Sequence, residues 1–167
     1  MTPLPYWIAP RAQRAMNNEQ ARFPQTETGG LLLGHTDPAG GVRVWEATDG
    51  GYEKVLREES AFAYDREYVG HLCALLSGLY TPPLEIVGVW HKHNSPSSPV
   101  PFSSADEEMH RQLVRGYDHP CLSILFERTE EEDVYEMRVF HLTEEGYREL
   151  CEAPGPEAPA REETRHE

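Results

Sequence analysis

The amino-acid sequence predicts a domain of the α/β (α+β) class, with a mixed β-sheet flanked by helices. Short apolar runs typical of strands alternate with helical patterns, but they lack the regular spacing of repeated βαβ units. Turn sequences join two pairs of these runs, at 28–48 and 121–140, and predict antiparallel hairpins. The 167 residues suit one domain, because domains usually contain about 100–200 residues.

The first half of the chain predicts a strand, a helix and a hairpin. Residues 6–8 form a short apolar run, and Pro10 suits the first turn of a helix that ends near Phe23, before a proline. The glycine-rich run 28–35 predicts a buried strand, and turn residues lead from it into a second strand at 42–47. The polar residues that follow, up to about position 63, favour no element.

The second half begins with the clearest helical period. Asp65 is a suitable N-cap for a helix that ends near Gly78. Residues 84–90 predict a strand covered on both faces, and the proline- and serine-rich residues 94–102 predict a loop. The apolar stripe of the helix comprises Tyr68, Val69, Leu72, Leu75, Leu76 and Leu79.

The remaining elements follow the loop. Ser103 or Ser104 begins a helix that runs to about Arg115, and the second hairpin comes next. Thr143 is a possible cap for a short helix to Leu150. We assign the folded domain to residues 1–151. The segment 152–167 has no large apolar residue and predicts a disordered, acidic, proline-rich tail.

The composition of the chain indicates which classes of partner and which cellular compartment to expect. The formal net charge of −14 repels phosphate backbones, so no nucleic acid is expected, although a basic protein partner is compatible. No stretch approaches the ~18 apolar residues of a membrane span, and the N-terminus shows no signal peptide. Cys73, Cys121 and Cys151 show no CxxC spacing, which favours a reducing cytoplasm over a disulfide framework.

The most informative polar motif is His91-Lys92-His93, at the end of an apolar strand. Residues i and i+2 of a strand face the same way, so both imidazoles can bind one metal ion. The motif alone is weak, because eight histidines in 167 residues produce roughly 0.4 such pairs by chance. Without a further ligand, the two side chains would be an exposed pair at a strand end.

A second motif, Ser103-x-x-Asp106, follows within one loop length. One interpretation is a capping box, with Ser103 as N-cap and Asp106 at the third helical position. The alternative is that the helix start carries Asp106 to the metal as a third ligand. Its occurrence so near His-x-His has a chance probability of about one in a hundred.

Glu27 lies at the start of the buried strand, before Gly29-Gly30. A carboxylate there is usually solvated, but a general base must also lie near a metal without binding it. The glycines admit either another backbone or an extended substrate at close range.

Together these residues predict an open catalytic zinc site. Two histidines and Asp106 leave a fourth position free, whereas structural zinc sites are closed by four protein ligands. Zinc lowers the pKa of water to about 7, and Glu27 could then accept its proton. A nearby serine could donate a hydrogen bond to a developing oxyanion, so the predicted chemistry is hydrolysis of an amide or related carbonyl.

In order and spacing, these motifs resemble the JAMM (MPN+) metalloprotease family, in particular its bacterial deubiquitinase-like branch. The resemblance spans roughly residues 5–142 and implies a curved mixed sheet of the cytidine-deaminase-like type. It implies zinc bound by His91, His93 and Asp106, with Glu27 as general base and Ser103 as oxyanion stabiliser. The family usually has proline where this chain has Asn94, and the His93–Ser103 interval is two residues longer here.

The resemblance also implies a substrate and partners. Members cleave isopeptide or peptide bonds after the C-terminal glycines of ubiquitin or ubiquitin-like proteins. Bacterial members often belong to antiphage systems with relatives of ubiquitin-activating and ubiquitin-conjugating enzymes. Two alternatives stay open: a catalytically silent MPN scaffold, and a peptidase acting on a sulfur-carrier protein.

Overall fold

A computed structural model describes residues 3–96, 98–131 and 134–150 of the chain. The predicted tail at 152–167 lies outside the described residues, as does Cys151. Within the described ranges, no helix combines the length and apolar character that crossing a membrane requires.

Nine strands and three helices make up the described chain. Seven strands form a mixed sheet in the order β1-β3-β2-β6-β7-β8-β9, and β4 and β5 form a separate small hairpin. Neighbouring strands of the large sheet are antiparallel, except for the parallel pairs β1–β3 and β6–β7. The elements are β1 (Tyr6–Ile8), α1 (Pro10–Arg22), β2 (Thr28–Thr36), β3 (Val42–Ala47), β4 (Leu56–Arg57), β5 (Phe62–Ala63), α2 (Arg66–Gly78), β6 (Glu85–Pro96), α3 (Ser104–Gly116), β7 (Cys121–Arg128), β8 (Tyr135–Thr143) and β9 (Gly146–Leu150).

The hydrophobic core lies on both faces of the large sheet. On one face, Met16 of α1 packs in the same cluster as Trp90 of β6. On the other face, Val69 of α2 and Met109 of α3 pack with Val89 of β6. Since successive residues of a strand point to opposite faces, β6 contributes to both clusters. The predicted mixed sheet flanked by helices, and the predicted strand covered on both faces, are confirmed.

Several element predictions are confirmed along the chain. β1, α1, α2 and α3 lie within a residue or two of their predicted bounds, and both hairpins form, as β2–β3 and β7–β8. The Asp65 carboxylate accepts a hydrogen bond from the Tyr68 backbone N–H and caps α2 as predicted.

The predicted short helix after Thr143 is wrong, because residues 146–150 form strand β9. Gly146 has a φ of 143°, which permits a tight turn after Thr143. The turn returns the chain antiparallel to β8, where Leu150 is buried and Tyr147 packs on Phe102. These tertiary contacts decide the structure over the local capping signal.

The predicted start of the loop at position 94 needs correction. β6 continues through Pro96 rather than ending before the predicted loop, because β7 pairs with it as far as Arg128. The apolar stripe of α2 is only partly covered: Val69 is fully buried, but Leu75 and Leu79 are 63% and 68% exposed. The polar residues left unassigned contain the β4–β5 hairpin.

The glycines at the start of β2 allow the neighbouring chain to approach closely. A Cβ added to Gly29 would lie 2.8 Å from the His91 Cβ and 2.3 Å from the Trp90 carbonyl oxygen. At Gly30 the corresponding distance to the Thr48 carbonyl oxygen would be 2.2 Å. Of the two possibilities that the sequence left open, the structure supports the close approach of the protein's own backbone.

Replacing Gly29 with alanine should destabilise the protein by about 1–3 kcal/mol, the usual effect of overpacking a tight interior. The new Cβ would collide with the backbone of β6 beside His91. Thermal unfolding of the metal-free protein measures the effect. Gly70→Ala is the matched control, since a Cβ there meets open space, and it should stabilise α2 by about 0.5–1 kcal/mol. Unchanged stability of Gly29→Ala would contradict this close packing.

Candidate metal centre

Strand β6 presents two imidazoles on one face of the sheet. His91 and His93 are two positions apart, and both are buried, at 4% and 8% exposure. Their Nε2 atoms lie 2.7 Å apart and their ring centroids 4.5 Å apart. Because β2 pairs with β6 as far as Lys92, between the two histidines, the backbone that carries them is held in register.

The first turn of α3 brings a carboxylate to these imidazoles. Asp106 Oδ1 lies 3.9 Å from His91 Nε2, and Asp106 Oδ2 lies 3.8 Å from His93 Nε2. The three ligand atoms all lie within 4.8 Å of one another. The structure therefore brings together the three residues that the sequence predicts as metal ligands.

Ser103 and Asp106 also form the predicted capping box. Ser103 Oγ accepts a hydrogen bond from the Asp106 backbone N–H at 3.2 Å, and Asp106 Oδ2 accepts one from the Ser103 backbone N–H at 2.9 Å. The Ser103 hydroxyl donates to the same Oδ2 at 2.9 Å. A carboxylate can accept about four hydrogen bonds or metal contacts. Capping is confirmed, and it leaves Asp106 Oδ1 free to face His91.

Three observations bear on whether a metal ion fits this group. Tetrahedral coordination at about 2.05 Å places donor atoms about 3.3 Å apart, a value between the 2.7 Å and the 3.8–3.9 Å found here. Burial lowers the pKa of both imidazoles and keeps them neutral, the form that binds metal. Two imidazole nitrogens with one carboxylate oxygen are a donor set that suits zinc. The residues fit a small divalent cation with a fourth position open.

Glu27 lies beside this group and does not belong to it. It directly precedes β2, is half-buried, and borders the same cleft as Asp106. The pKa of Glu27 is raised from 4.5 to about 7, first by burial and then by the nearby Asp106 carboxylate, while Lys92 partly offsets both effects. A carboxylate with a pKa near neutrality can accept and release a proton under physiological conditions.

Two cavities meet at the candidate metal ligands. One, of about 380 Å³, has an apolar wall that includes Phe62, Val89 and Met109. The other, of about 420 Å³, has a polar wall rich in serine and borders Glu127. Glu27 and Asp106 line both cavities, so a cleft passes the candidate metal position on two sides.

Asn94 stands where the JAMM pattern that the sequence resembles usually has proline, and its side chain holds two loops beside the cleft. Its Nδ2 donates to the Gln25 carbonyl at 2.9 Å and to the Glu59 carbonyl at 3.1 Å. The Glu27 backbone N–H donates to the Glu58 carbonyl at 2.7 Å. The segment before β2 is thereby tied to the β4–β5 hairpin. Proline could not make these bonds, since it has no side-chain donor.

A buried ion pair that the sequence analysis missed anchors the same hairpin. Arg57 Nη2 donates to Glu19 Oε1 at 2.8 Å and to the Gly51 carbonyl at 3.0 Å, and Arg57 Nε donates to Thr28 Oγ1 at 3.0 Å. The guanidinium also lies 3.8 Å from the centroid of the Phe23 ring. Glu19 lies three positions after Met16 on the apolar stripe of α1. An acidic residue on the apolar stripe of a helix indicates a buried charge with a partner, and this was the signal available in the sequence.

Glu127 is a second residue that sequence reasoning missed. It continues the apolar run of β7 and is 1% exposed. Its Oε2 lies 4.0 Å from His93 Nδ1, and its Oε1 accepts a hydrogen bond from Arg138 Nη1 at 2.6 Å. A charged residue inside an otherwise apolar strand was the available signal.

Comparison with known proteins finds similarity only at the level of the fold. No family model and no curated protein matches it. The chain is similar to the solution structure of protein DSY2949 from Desulfitobacterium hafniense, with a TM-score of 0.59 and 16% sequence identity. The match covers 87% of this chain and 89% of that one. At this identity, the likeness supports a shared curved mixed sheet flanked by helices and carries no information about activity.

The raised pKa of Glu27 predicts a pH-dependent effect on stability. With a pKa of about 7 in the folded state against 4.5 ordinarily, the carboxyl retains its proton longer when folded. Its contribution to stability should therefore fall as pH rises from about 4.5 through 7 and stay at its minimum above that. Glu27→Gln removes the ionised form, so the metal-free variant should melt above wild type at pH 8 and level with it at pH 4. The exposed Glu144→Gln is the control, and an equal rise there at pH 8 would contradict the assignment.

Proposed function

We propose that this protein is a zinc-dependent isopeptidase or peptidase that cleaves after the C-terminal glycine of a ubiquitin-like protein. The observation that carries the proposal is the convergence of His91 Nε2, His93 Nε2 and an Asp106 oxygen within 4.8 Å, with Glu27 unligated beside them. This arrangement supports the motif resemblance to JAMM metalloproteases, including the order of the parts along the chain.

His91, His93 and Asp106 would hold the zinc ion. When bound, zinc polarises a carbonyl and lowers the pKa of water to about 7. The neutral imidazoles and the carboxylate together carry one negative charge, so a bound divalent cation leaves the site with a net positive charge. That charge would favour the developing negative charge on a substrate carbonyl oxygen.

Glu27 would act as general base and then as general acid. Its carboxylate accepts a proton from the attacking water and returns it to the amine that leaves when the amide C–N bond breaks. A pKa near 7 suits both transfers, since neither protonation state is strongly favoured at neutral pH. The half-buried position keeps the carboxylate close to the cleft without making it a ligand.

Ser103 would stabilise the oxyanion. Its hydroxyl is exposed at the cleft and now donates to Asp106 Oδ2 at 2.9 Å. Rotation of the hydroxyl hydrogen toward a substrate oxygen would leave Oδ2 its other hydrogen bond, from the Ser103 backbone N–H. Capping and catalysis therefore do not exclude each other at this serine.

The cleft supports an extended substrate. The apolar side of the cleft suits a peptide chain without bulky charged groups. The β4–β5 hairpin and α3 border the same cavity, so an extended tail that ends in glycine can pass between them. We place the activity in the cytoplasm, in an antiphage ubiquitin-like pathway with activating and conjugating enzymes as further partners. Cys73 and Cys121 are free thiols, in keeping with a reducing compartment.

Two alternatives differ in what they predict. A silent scaffold requires no ligands, and the full set of three ligands disfavours it. A peptidase acting on a sulfur-carrier protein would use the same residues on a related tail. The choice of substrate in an assay distinguishes that alternative from the main proposal.

Purified protein should contain about one zinc ion per chain, because the open three-ligand pattern binds one metal. His91→Ala and Asp106→Ala should each remove most of it, as measured by elemental analysis after dialysis. The exposed His71→Ala is the matched control and should retain wild-type zinc. Full zinc content in both ligand variants would disprove the ligand assignment.

A ubiquitin-like protein from the same operon, fused through its terminal glycine to a short peptide, tests the activity. Wild type should release the peptide, and Glu27→Gln should cleave at least ~100-fold more slowly, the usual scale of general-base loss. Zinc content should be unchanged, since Glu27 is not a ligand. Mass spectrometry of the products measures both the rate and the cleavage position.

Two further variants serve as a control and as a test of the oxyanion role in the same cleavage assay. Glu59→Gln, an exposed acid on the turn between β4 and β5, should cleave like wild type. Ser103→Ala should lose zinc-dependent turnover by the equivalent of about 2.7–4 kcal/mol if it stabilises the oxyanion, in addition to about 1 kcal/mol of stability as a cap. Undiminished cleavage by Glu27→Gln would refute the mechanism, and no cleavage by wild type would support the scaffold.

A further inference from the structure

We propose that Glu127 is a positioning residue that orients His93 for metal binding from the side of the ring opposite Nε2. The inference rests on the metal site of the proposed function, and it concerns a residue that belongs to none of the motifs of that site. It follows from three features of the structure: the contact with His93, the way Glu127 is anchored, and its burial.

The Glu127 carboxylate faces the second ring nitrogen of a candidate ligand, His93. His93 directs Nε2 toward His91 and Asp106, while its Nδ1 lies 4.0 Å from Glu127 Oε2. In metal sites, the free ring N–H of a histidine ligand usually donates to a carboxylate, a carbonyl or water, which fixes the tautomer and the ring orientation. Glu127 is the acid in position to do this for His93.

The distance of 4.0 Å is longer than a hydrogen bond, which typically spans 2.7–3.2 Å. The imidazoles are also not yet at metal-binding separation, since their Nε2 atoms lie 2.7 Å apart and tetrahedral coordination needs about 3.3 Å. Metal binding therefore requires the imidazole rings to move. A movement of similar size would bring His93 Nδ1 within hydrogen-bonding distance of Glu127.

Arg138 fixes the carboxylate in this position. Its Nη1 donates to Glu127 Oε1 at 2.6 Å, which leaves Oε2 to face His93. Strand β8 places Arg138 diagonally from Glu127, since Leu125 pairs with Arg138 and Glu127 with Glu136. On its other side Arg138 donates to both carboxylate oxygens of Glu149 in β9, at 2.8 Å each.

The same guanidinium also reaches the loop that leads into α3. Arg138 Nη1 donates to the Ser98 carbonyl at 3.1 Å. Five residues later, Ser103 caps the helix that carries Asp106. One arginine therefore connects the carboxylate behind His93 with the loop before the third ligand.

Stability alone does not account for Glu127. Desolvation of a buried ion pair largely offsets its Coulomb attraction, and well-packed apolar residues of similar size are often equally stable there. Glu127 is 1% exposed at a position that follows six consecutive buried residues of β7. Its carboxylate is explained by the histidine it faces.

Glu127→Gln tests the inference by metal affinity, which requires no substrate. The amide keeps the shape but loses the charge, so affinity for Zn²⁺, measured by competition with a chromophoric chelator, should fall 10–100-fold. The visible spectrum of the Co²⁺-loaded variant should also shift, because the orientation of one imidazole changes. Glu149→Gln breaks the outer partner of the same Arg138 and is the matched control, with wild-type affinity and spectrum expected.

A second variant separates positioning from the effect of an unpaired arginine. Glu127→Gln combined with Arg138→Gln removes both charges, and it should show the same loss of affinity as Glu127→Gln alone. Wild-type affinity in Glu127→Gln, an equal loss in Glu149→Gln, or recovery in the double variant would each overturn the inference. If wild type itself binds no zinc, the proposed function fails first. If wild type binds zinc and Glu127→Gln matches it, only the role of Glu127 is refuted.

Discussion

Four of the candidate site residues take their positions from the pairing of β6 with strands on both sides. Its antiparallel partner β2 begins directly after Glu27, and its parallel partner β7 carries Glu127. Between them, β6 itself carries His91 and His93. The backbone hydrogen bonds of three adjacent strands therefore set the relative positions of the proposed base, two ligands and the positioning carboxylate. A slip by one residue in β6 would turn both imidazoles to the opposite face of the sheet.

The third candidate ligand, Asp106, comes from a helix rather than a strand. The residues that stabilise the start of this helix are therefore the ones that orient the candidate ligand. The side chain of Ser103 begins α3 by accepting the Asp106 N–H, and it also contacts the carboxylate that faces the histidines. Helix initiation fixes the direction of Asp106 before any metal binds. A substitution at either residue therefore changes two properties at once, so melting temperature and metal content need to be measured together.

Sequence reasoning could find the residues whose spacing reflects one element. His91 and His93 share a strand face, and Ser103 and Asp106 share a helix turn, so local geometry is enough to relate them. Glu127 and Asn94 act on residues far away in the chain, and no spacing rule relates them to their partners. The same limitation explains β9, where Tyr147 packs on the ring of Phe102, far away in the chain. Contacts between residues far apart in the chain therefore account for the roles of Glu127 and Asn94 and for strand β9, which the sequence alone did not predict.

The attachment of the β4–β5 hairpin bears on the order in which the protein assembles. Arg57 joins this hairpin to Glu19 and Thr28, which lie 38 and 29 positions away in the chain. Closing such long loops is entropically unfavourable until the segments they join are already structured. The hairpin wall of the cleft should therefore dock only after α1 and β2 have packed. A folding chain would thus pack α1 against β2 before it possessed the hairpin wall of the cleft.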